Sequence, residues 1–205
     1  MKNLPQTVPV FPLSGVIYFP KTNLPLNIFE QRYLNLVNDA YNKDKLMGMV
    51  QSKNESGNVY QVGCLGKISD YQKNKDGRIL INLTGISRFK ILEEISNDKL
   101  YREFKVDYND FNEDNIGTGN LIETKSLMDN VKNFFKANGL LLNWKEFEKL
   151  DQSQKINTIA MIAPITNEEK QKLLESISLK NKIETLESII SFYFHETNFK
   201  NQTVQ

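Results

Sequence analysis

Five of the six prolines and nine of the ten glycines of this 205-residue chain lie within its first 119 residues; only Gly139 and Pro164 lie beyond. Proline fixes φ and donates no backbone hydrogen bond, and glycine weakens helix interiors, so both mark turns, edges and bulges. A first part crowded with them reads as many short strands. A second part nearly free of them reads as helices. The predicted fold class is therefore α+β, a β-rich domain over residues 1–115 followed by a helical domain over 116–205.

Hydrophobic periodicity fills in this outline. Extended pieces are predicted at Thr7–Leu13, Val16–Phe19 and Leu24–Ile28, and a helix from Phe29 to Asn42 with Phe29, Tyr33, Leu36, Val37 and Ala40 on one stripe. Leu46–Gln51 reads as a buried strand. Val62–Tyr71 and Arg78–Leu83 flank an Asp76-Gly77 turn, and Ile86–Ile95 is expected to pair with Tyr101–Tyr108. In Arg102–Tyr108 the side chains of Phe104, Val106 and Tyr108 alternate with Glu103, Lys105 and Asp107. So many short strands favour a partly closed barrel or a strongly curved sheet. Asn109–Asn120, polar and aperiodic, reads as the linker.

Beyond the linker, Leu121, Met128, Val131 and Phe135 form a stripe ended by Asn138-Gly139. A short helical turn follows at Trp144–Leu150. Asp151 is placed to cap a helix ended by Pro164, Thr166 with Glu169 forms a capping box, and Ser178 precedes a helix carrying Leu179, Ile183, Leu186 and Ile190. The polar last ten residues are expected to fray.

Several function classes are disfavoured by inventory. With 26 Lys+Arg against 25 Asp+Glu, a net charge of +1 gives no electrostatic reason for a nucleic-acid or anionic-membrane partner. One Cys and one His, Cys64 and His195, stand 131 positions apart, too few for a zinc site and poorly placed for a nucleophile–base pair. Gly66-Lys67-Ile68 and Gly117-Thr-Gly119 complete neither phosphate loop, so no cofactor is expected. Asp110-Phe-Asn112-Glu-Asp114 mimics a calcium loop but has Asn115 and Leu121 where Gly and Glu belong, and reads as a solvated acidic linker. Prolines interrupt the uncharged N-terminal stretch, so no signal peptide is expected, and no apolar run approaches the ~20 residues of a membrane helix. The expected location is the cytoplasm. Arg88-Phe89-Lys90 reads as strand alternation, with Phe89 inward and the cations outward.

Several segments, in order, resemble the N-terminal substrate-recognition domain of the Lon protease family. They are Val10-Phe-Pro-Leu13, Tyr18-Phe-Pro20, Leu24-Pro-Leu-Asn-Ile-Phe-Glu-Gln-Arg-Tyr33, Val62-Gly-Cys-Leu-Gly66, Asp76-Gly-Arg78, Gly85-Ile-Ser-Arg-Phe89 and Asn167–Glu175. The third is the most specific, close to an LPLxIFExRY signature. The resemblance implies a PUA-like β-barrel subdomain followed by an α-helical bundle. It also implies a domain without the ATPase and peptidase modules that Lon carries, which looks like a stand-alone version that binds polypeptide and does not cleave it.

On that basis the expected partner is a polypeptide substrate or a protein partner, bound through exposed apolar segments in a groove on the barrel or between barrel and bundle. Tyr18, Phe19 and Phe89 are the candidate peptide contacts. The alternative is an adaptor that docks a partner through the helical bundle. The sequence assigns no oligomeric state. All four arginines, Arg32, Arg78, Arg88 and Arg102, fall in the β-rich part of a chain with 22 lysines. Such selective use points to fixed bidentate geometry, internal staples in preference to ligand contacts.

Overall fold

A computed structural model describes residues 4–53, 57–114 and 122–202, with side chains as far as Phe194. The chain forms two compact units, Met1–Gly117 and Thr118–Gln205. The boundary read at 115/116, the Gly117-Thr-Gly119 piece, Leu121 and the side chain of His195 all lie outside the described residues.

Unit 1 is a six-stranded sheet with one helix. Its strands are β1 (Thr7–Leu13), β2 (Asn23–Ile28), β3 (Leu46–Gln51), β4 (Val62–Lys73), β5 (Ile79–Ile95) and β6 (Arg102–Asp107), and helix α1 spans Gln31–Asn42. The sheet order is β2-β5-β4-β3-β1-β6, and β6 also pairs with β5. The pairings β5-β4-β3-β1-β6-β5 therefore return on themselves, with β2 added outside the ring. Only β1 and β3 run parallel. The 17-residue β5 makes closure work: residues 79–84 pair with β2, and residues 90–95 pair with β6.

Two short expected strands, Arg78–Leu83 and Ile86–Ile95, are thus one. The chain runs straight through Gly85 because its missing side chain admits a crossing backbone: a Cβ there would stand 2.3 Å from the carbonyl oxygen of Phe19. A bulge beside Gly66 accommodates the extra residue between Gly85 and Ser87. Val16–Phe19, expected as a strand, is irregular. The interior is filled by aliphatic and aromatic side chains from facing strands, among them Val8, Val10, Leu65, Phe89, Phe104 and Val106.

Helix α1 starts two residues later than its pattern suggests. Glu30 takes the extended N-cap conformation (φ −72°, ψ 133°) without a side-chain cap, so Phe29 precedes the helix and drops off its stripe. Tyr33, Leu36, Val37 and Ala40 keep the buried face.

The first half of the expected linker belongs to unit 1. Asn109–Asp114 forms 3-10 turns broken at Phe111 (φ −124°, ψ 29°) and lies over β5, where Phe111 is buried. Its composition is polar because its carboxylates meet the outward cations of β5. Asp110 stands 3.6 Å from the Lys90 ammonium. Asp114 takes three hydrogen bonds from Arg88: the backbone N–H at 2.8 Å, Nε at 2.9 Å and Nη2 at 2.9 Å. The Arg88 guanidinium also sits 4.5 Å from the Phe111 ring centroid. Arg88 is on the outer face as expected but is only 1% exposed, because this segment covers it. The acidic stretch is a lid on a buried arginine, and the solvated-linker reading fails for residues 109–114.

Unit 2 contains α2 (Lys125–Ala137), α3 (Trp144–Phe147), α4 (Gln152–Ile162), α5 (Asn167–Glu175) and α6 (Leu179–Gln202), with α6 packed on α2, α4 and α5. Its boundaries follow local chemistry. Asp151 and Thr166 each close a complete capping box, with Gln154 and Glu169 respectively. Ser178 Oγ accepts the Asn181 N–H at 3.1 Å, and Gly139 ends the α2 turn in the left-handed region (φ 68°). Leu179, Ile183, Leu186 and Ile190 are all buried, as their spacing requires. In α2 the buried set is Leu127, Val131, Phe134 and Phe135, while Met128 is half-buried.

Candidate functional site

The structure places the three sequence-derived contact candidates in the interior. Tyr18 is 2% exposed, Phe19 0% and Phe89 0%. In this conformation they offer almost no area to a ligand, and Phe89 packs the inside of the sheet. Phe89 lies against positions 48 and 63, glycines whose added Cβ would come within 2.9 Å and 2.7 Å of its ring. The Tyr18 hydroxyl is buried with no hydrogen-bond partner among the described residues, and burial, with Cys64 nearby, pushes its pKa well above the ordinary tyrosine range.

Two of the four large hydrophobic side chains exposed on the described part of unit 1, Phe29 and Leu80, stand near the end of β2; the others are Leu92 and Leu100. Among the described residues β2 pairs only with β5, so its other edge carries no strand. Directly after β2 comes Phe29, 67% exposed, displaced from α1 by the late helix start. On the neighbouring strand Leu80, 39% exposed, stands opposite Asn27. Pro25 removes one N–H from β2, the kind of interruption that keeps an edge from pairing with copies of itself. The helix pattern of the sequence puts Phe29 on the apolar stripe. The signal that would have freed it is Glu30, which precedes the helix and pairs with Arg32 at 2.8 Å across one residue.

A second feature is a polar cleft of about 430 Å³ between α1 and the β5–β6 connection, lined by Asn35, Asn38, Asp39, Asp98, Lys99, Leu100 and Tyr101. A smaller space of about 80 Å³ adjoins it, sharing Asp39, Lys99 and Tyr101 and reaching Thr7 and Glu103. The wall between them is fixed. The Tyr101 hydroxyl donates to Asp39 Oδ2 at 2.7 Å, and Lys99 Nζ donates to Glu103 Oε1 at 2.7 Å. Burial, and then the bond to Asp39, push the Tyr101 hydroxyl up to about 12.

Each arginine pairs with an acidic side chain of this chain; only the Arg88 pair is buried, and those of Arg32 and Arg78 are exposed contacts between residues two apart. Arg32 pairs with Glu30, Arg78 with Asp76, Arg88 with Asp114, and Arg102 with Glu94 through two bonds of 2.7 and 2.6 Å. Among the described residues no group of three His, Cys, Asp or Glu is placed to hold a metal ion, and no helix is long and apolar enough to cross a membrane.

Two solved Lon N-terminal domains share this α+β fold. A Lon N-terminal domain protein from Xanthomonas campestris superposes with a TM-score of 0.65 at 20% identity, over 88% of this chain and 96% of that one. The N-terminal domain of Mycobacterium avium complex Lon protease gives a TM-score of 0.63 at 15% identity, over 90% and 98%. Residues 7–191 match the family described as the ATP-dependent protease La (LON) substrate-binding domain, and the chain belongs to that family. Lon protease of Syntrophus aciditrophicus is 25% identical over 206 aligned positions, covering 92% of this chain and 25% of that protein. That of Desulfosudis oleivorans is 27% identical over 194, covering 88% and 23%. The chain thus spans about a quarter of the length of these curated relatives.

Proposed function

We propose that this chain binds polypeptide without cleaving it, recognising exposed apolar segments of unfolded proteins, with unit 1 as a PUA-like barrel that presents the binding edge. The family, named for substrate binding, supports the polypeptide reading. The observation that carries the apolar preference is Phe29, held in solvent at the end of an unpaired strand edge, with the exposed Leu80 on the neighbouring strand opposite Asn27. An extended segment can add to such an edge through main-chain hydrogen bonds while alternate side chains rest on the apolar pair. The test is fluorescence binding of unfolded model proteins to the full chain and to a Phe29→Ser, Leu80→Ser variant. Binding weakened several-fold with unchanged circular dichroism is expected. Binding no better than that of an unrelated two-unit control protein would overturn the proposal.

The adaptor reading keeps one specific support, the exposed Ile162, Ile177 and Phe192 on unit 2. Polar substitution of those three should abolish complex formation under that reading and leave unfolded-protein binding intact under the first.

A further inference from the structure

The cleft between α1 and the β5–β6 connection has an uneven set of unused hydrogen-bonding groups. Asn35 and Asn38 have committed their oxygens, Asn35 Oδ1 to Gln31 Nε2 at 2.8 Å and Asn38 Oδ1 to the Tyr71 hydroxyl at 2.9 Å. Their amide N–H groups are left to donate. The carboxylates are the reverse. Asp39 spends one oxygen on Tyr101, and Asp98 has no protein hydrogen bond among the described residues. Lys99, the cation lining the cleft, is engaged by Glu103 and lies 5.2 Å from the Tyr101 ring centroid, so it pairs with neither aspartate. Lys43 borders only the smaller space and forms no ion pair with Asp39 within 4.0 Å. Leu100, 61% exposed, supplies an apolar rim.

The cleft therefore asks for a ligand with a cation for two carboxylates, acceptors for two amides and an aliphatic stem. Its volume of about 430 Å³ is within the roughly 300–1,000 Å³ of ligand-sized sites. Inorganic cations fit poorly, because among the described residues no third acid joins the aspartates in a metal-holding group. We propose that the cleft holds a basic side chain, lysine or arginine, of a bound polypeptide. Asp39 and Asp98 take the charge, Leu100 lies along the methylene stem, and Asn35 and Asn38 donate to the flanking backbone carbonyls. The hydrogen bond from Tyr101 holds the Asp39 carboxylate toward the cleft. The inference rests on the polypeptide-binding reading and adds a substrate class to it: apolar segments that contain a basic residue.

The experiment measures fluorescence anisotropy of three labelled, otherwise identical apolar peptides with the full chain at low and high salt. One is N-acetylated with a central lysine, one is N-acetylated with norleucine in its place, and one has norleucine and a free N-terminal amine. The lysine peptide is expected to bind about fivefold more tightly than its norleucine counterpart at low salt, as for a partly screened ion pair. That preference should shrink with salt and vanish in Asp98→Asn and in Asp39→Asn, whose amide still accepts the Tyr101 hydroxyl. Phe29→Ser should weaken all three peptides equally. Equal affinity for the two acetylated peptides, or a preference that survives both aspartate substitutions, overturns the cleft assignment and leaves the apolar reading standing. A free-amine peptide that matches the lysine peptide overturns the side-chain assignment in favour of chain termini. If no peptide binds, the polypeptide reading falls and the cleft assignment falls with it.

Discussion

The two units meet their buried charge differently. Unit 2 closes its helix ends with contacts inside four residues, as in the boxes of Asp151 with Gln154 and Thr166 with Glu169, and its buried Lys182 donates to a neutral amide, Asn157 Oδ1, at 2.7 Å. In unit 1 the decisive polar contact joins residues 26 positions apart, Arg88 and Asp114, whose side chains are 2% and 6% exposed. A local cap replaces one turn's solvation with one hydrogen bond and is worth about 1 kcal/mol. A buried ion pair carries two desolvation penalties and is tolerable only with complete pairing, so removing one partner is far worse than removing both.

That contrast predicts the largest effect. Asp114→Ala leaves the Arg88 guanidinium buried without its carboxylate and should cost about 3–5 kcal/mol in urea unfolding. The double variant Arg88→Met, Asp114→Leu should recover most of that loss. Seven of the eight tyrosines lie in unit 1 and the sole tryptophan, Trp144, lies in unit 2, so the two units report separately. The tyrosine transition should shift and the Trp144 transition should not. An equal shift in both would mean that the units unfold together, which breaks the comparison.

Next comes packing. Gly85→Ala would drive a Cβ to 2.3 Å from the Phe19 carbonyl oxygen, a backbone atom that cannot rotate away. A loss of about 1–3 kcal/mol or more is expected, carried again by the tyrosine transition. In unit 2 the described glycine, Gly139, has nothing within 4 Å of an added Cβ. The matching substitutions there, Asp151→Ala and Thr166→Ala, should each cost about 1 kcal/mol in the Trp144 transition. A cap variant that costs as much as Gly85→Ala would erase the difference between local and long-range design.

The same difference explains what the sequence disclosed. Helix ends in unit 2 were legible because a cap residue and its partner are neighbours in the chain, and the spacing of Leu179, Ile183, Leu186 and Ile190 names its own buried face. Strand positions were legible from alternation. Their joining was not: nothing local says that 78–83 and 86–95 are one strand, because that follows from what crosses at Gly85. Asn109–Asp114 looked like a linker because its partners, Arg88 and Lys90, are distant in sequence. The lone Phe111 within acidic residues was the hint that the segment covers something. The surface features were the least legible. Tyr18, Phe19 and Phe89 are aromatics that the sequence pattern puts near strand edges, but all three are buried, while Phe29, on the apolar stripe of the helix pattern, is turned out by the Glu30 N-cap.

Alkaline pH separates the units by titration. Burial and Asp39 raise the Tyr101 hydroxyl from 10.0 to about 12, and burial raises Tyr18 and Tyr108 in the same direction. A group whose folded pKa is raised adds stability that is fully present below its unfolded value and is lost as pH climbs through the folded value. Unit 1 should therefore keep this contribution below about pH 10 and lose it through about pH 12, seen as tyrosinate absorbance rising with loss of strand signal. Tyr101→Phe should remove the part of that loss due to Tyr101 and leave acid stability unchanged.

The smallest effect concerns the Tyr18 hydroxyl. A hydrogen bond removed from one side leaves a buried group unsatisfied at a cost of about 1–3 kcal/mol, yet here the hydroxyl already lacks a partner. Tyr18→Phe deletes an atom whose desolvation is uncompensated and keeps the ring that fills the space. The variant should be as stable as the parent or more stable by up to about 1 kcal/mol, with the gain in the tyrosine transition alone. Removal of a polar atom then helps in unit 1, whereas in unit 2 removal of the Thr166 hydroxyl, which accepts the Glu169 N–H at 3.2 Å, always costs. Destabilisation by Tyr18→Phe of more than about 1 kcal/mol would show that the hydroxyl is hydrogen-bonded to an internal water, and the interior of the ring would then be wet where Gly66 meets Tyr18.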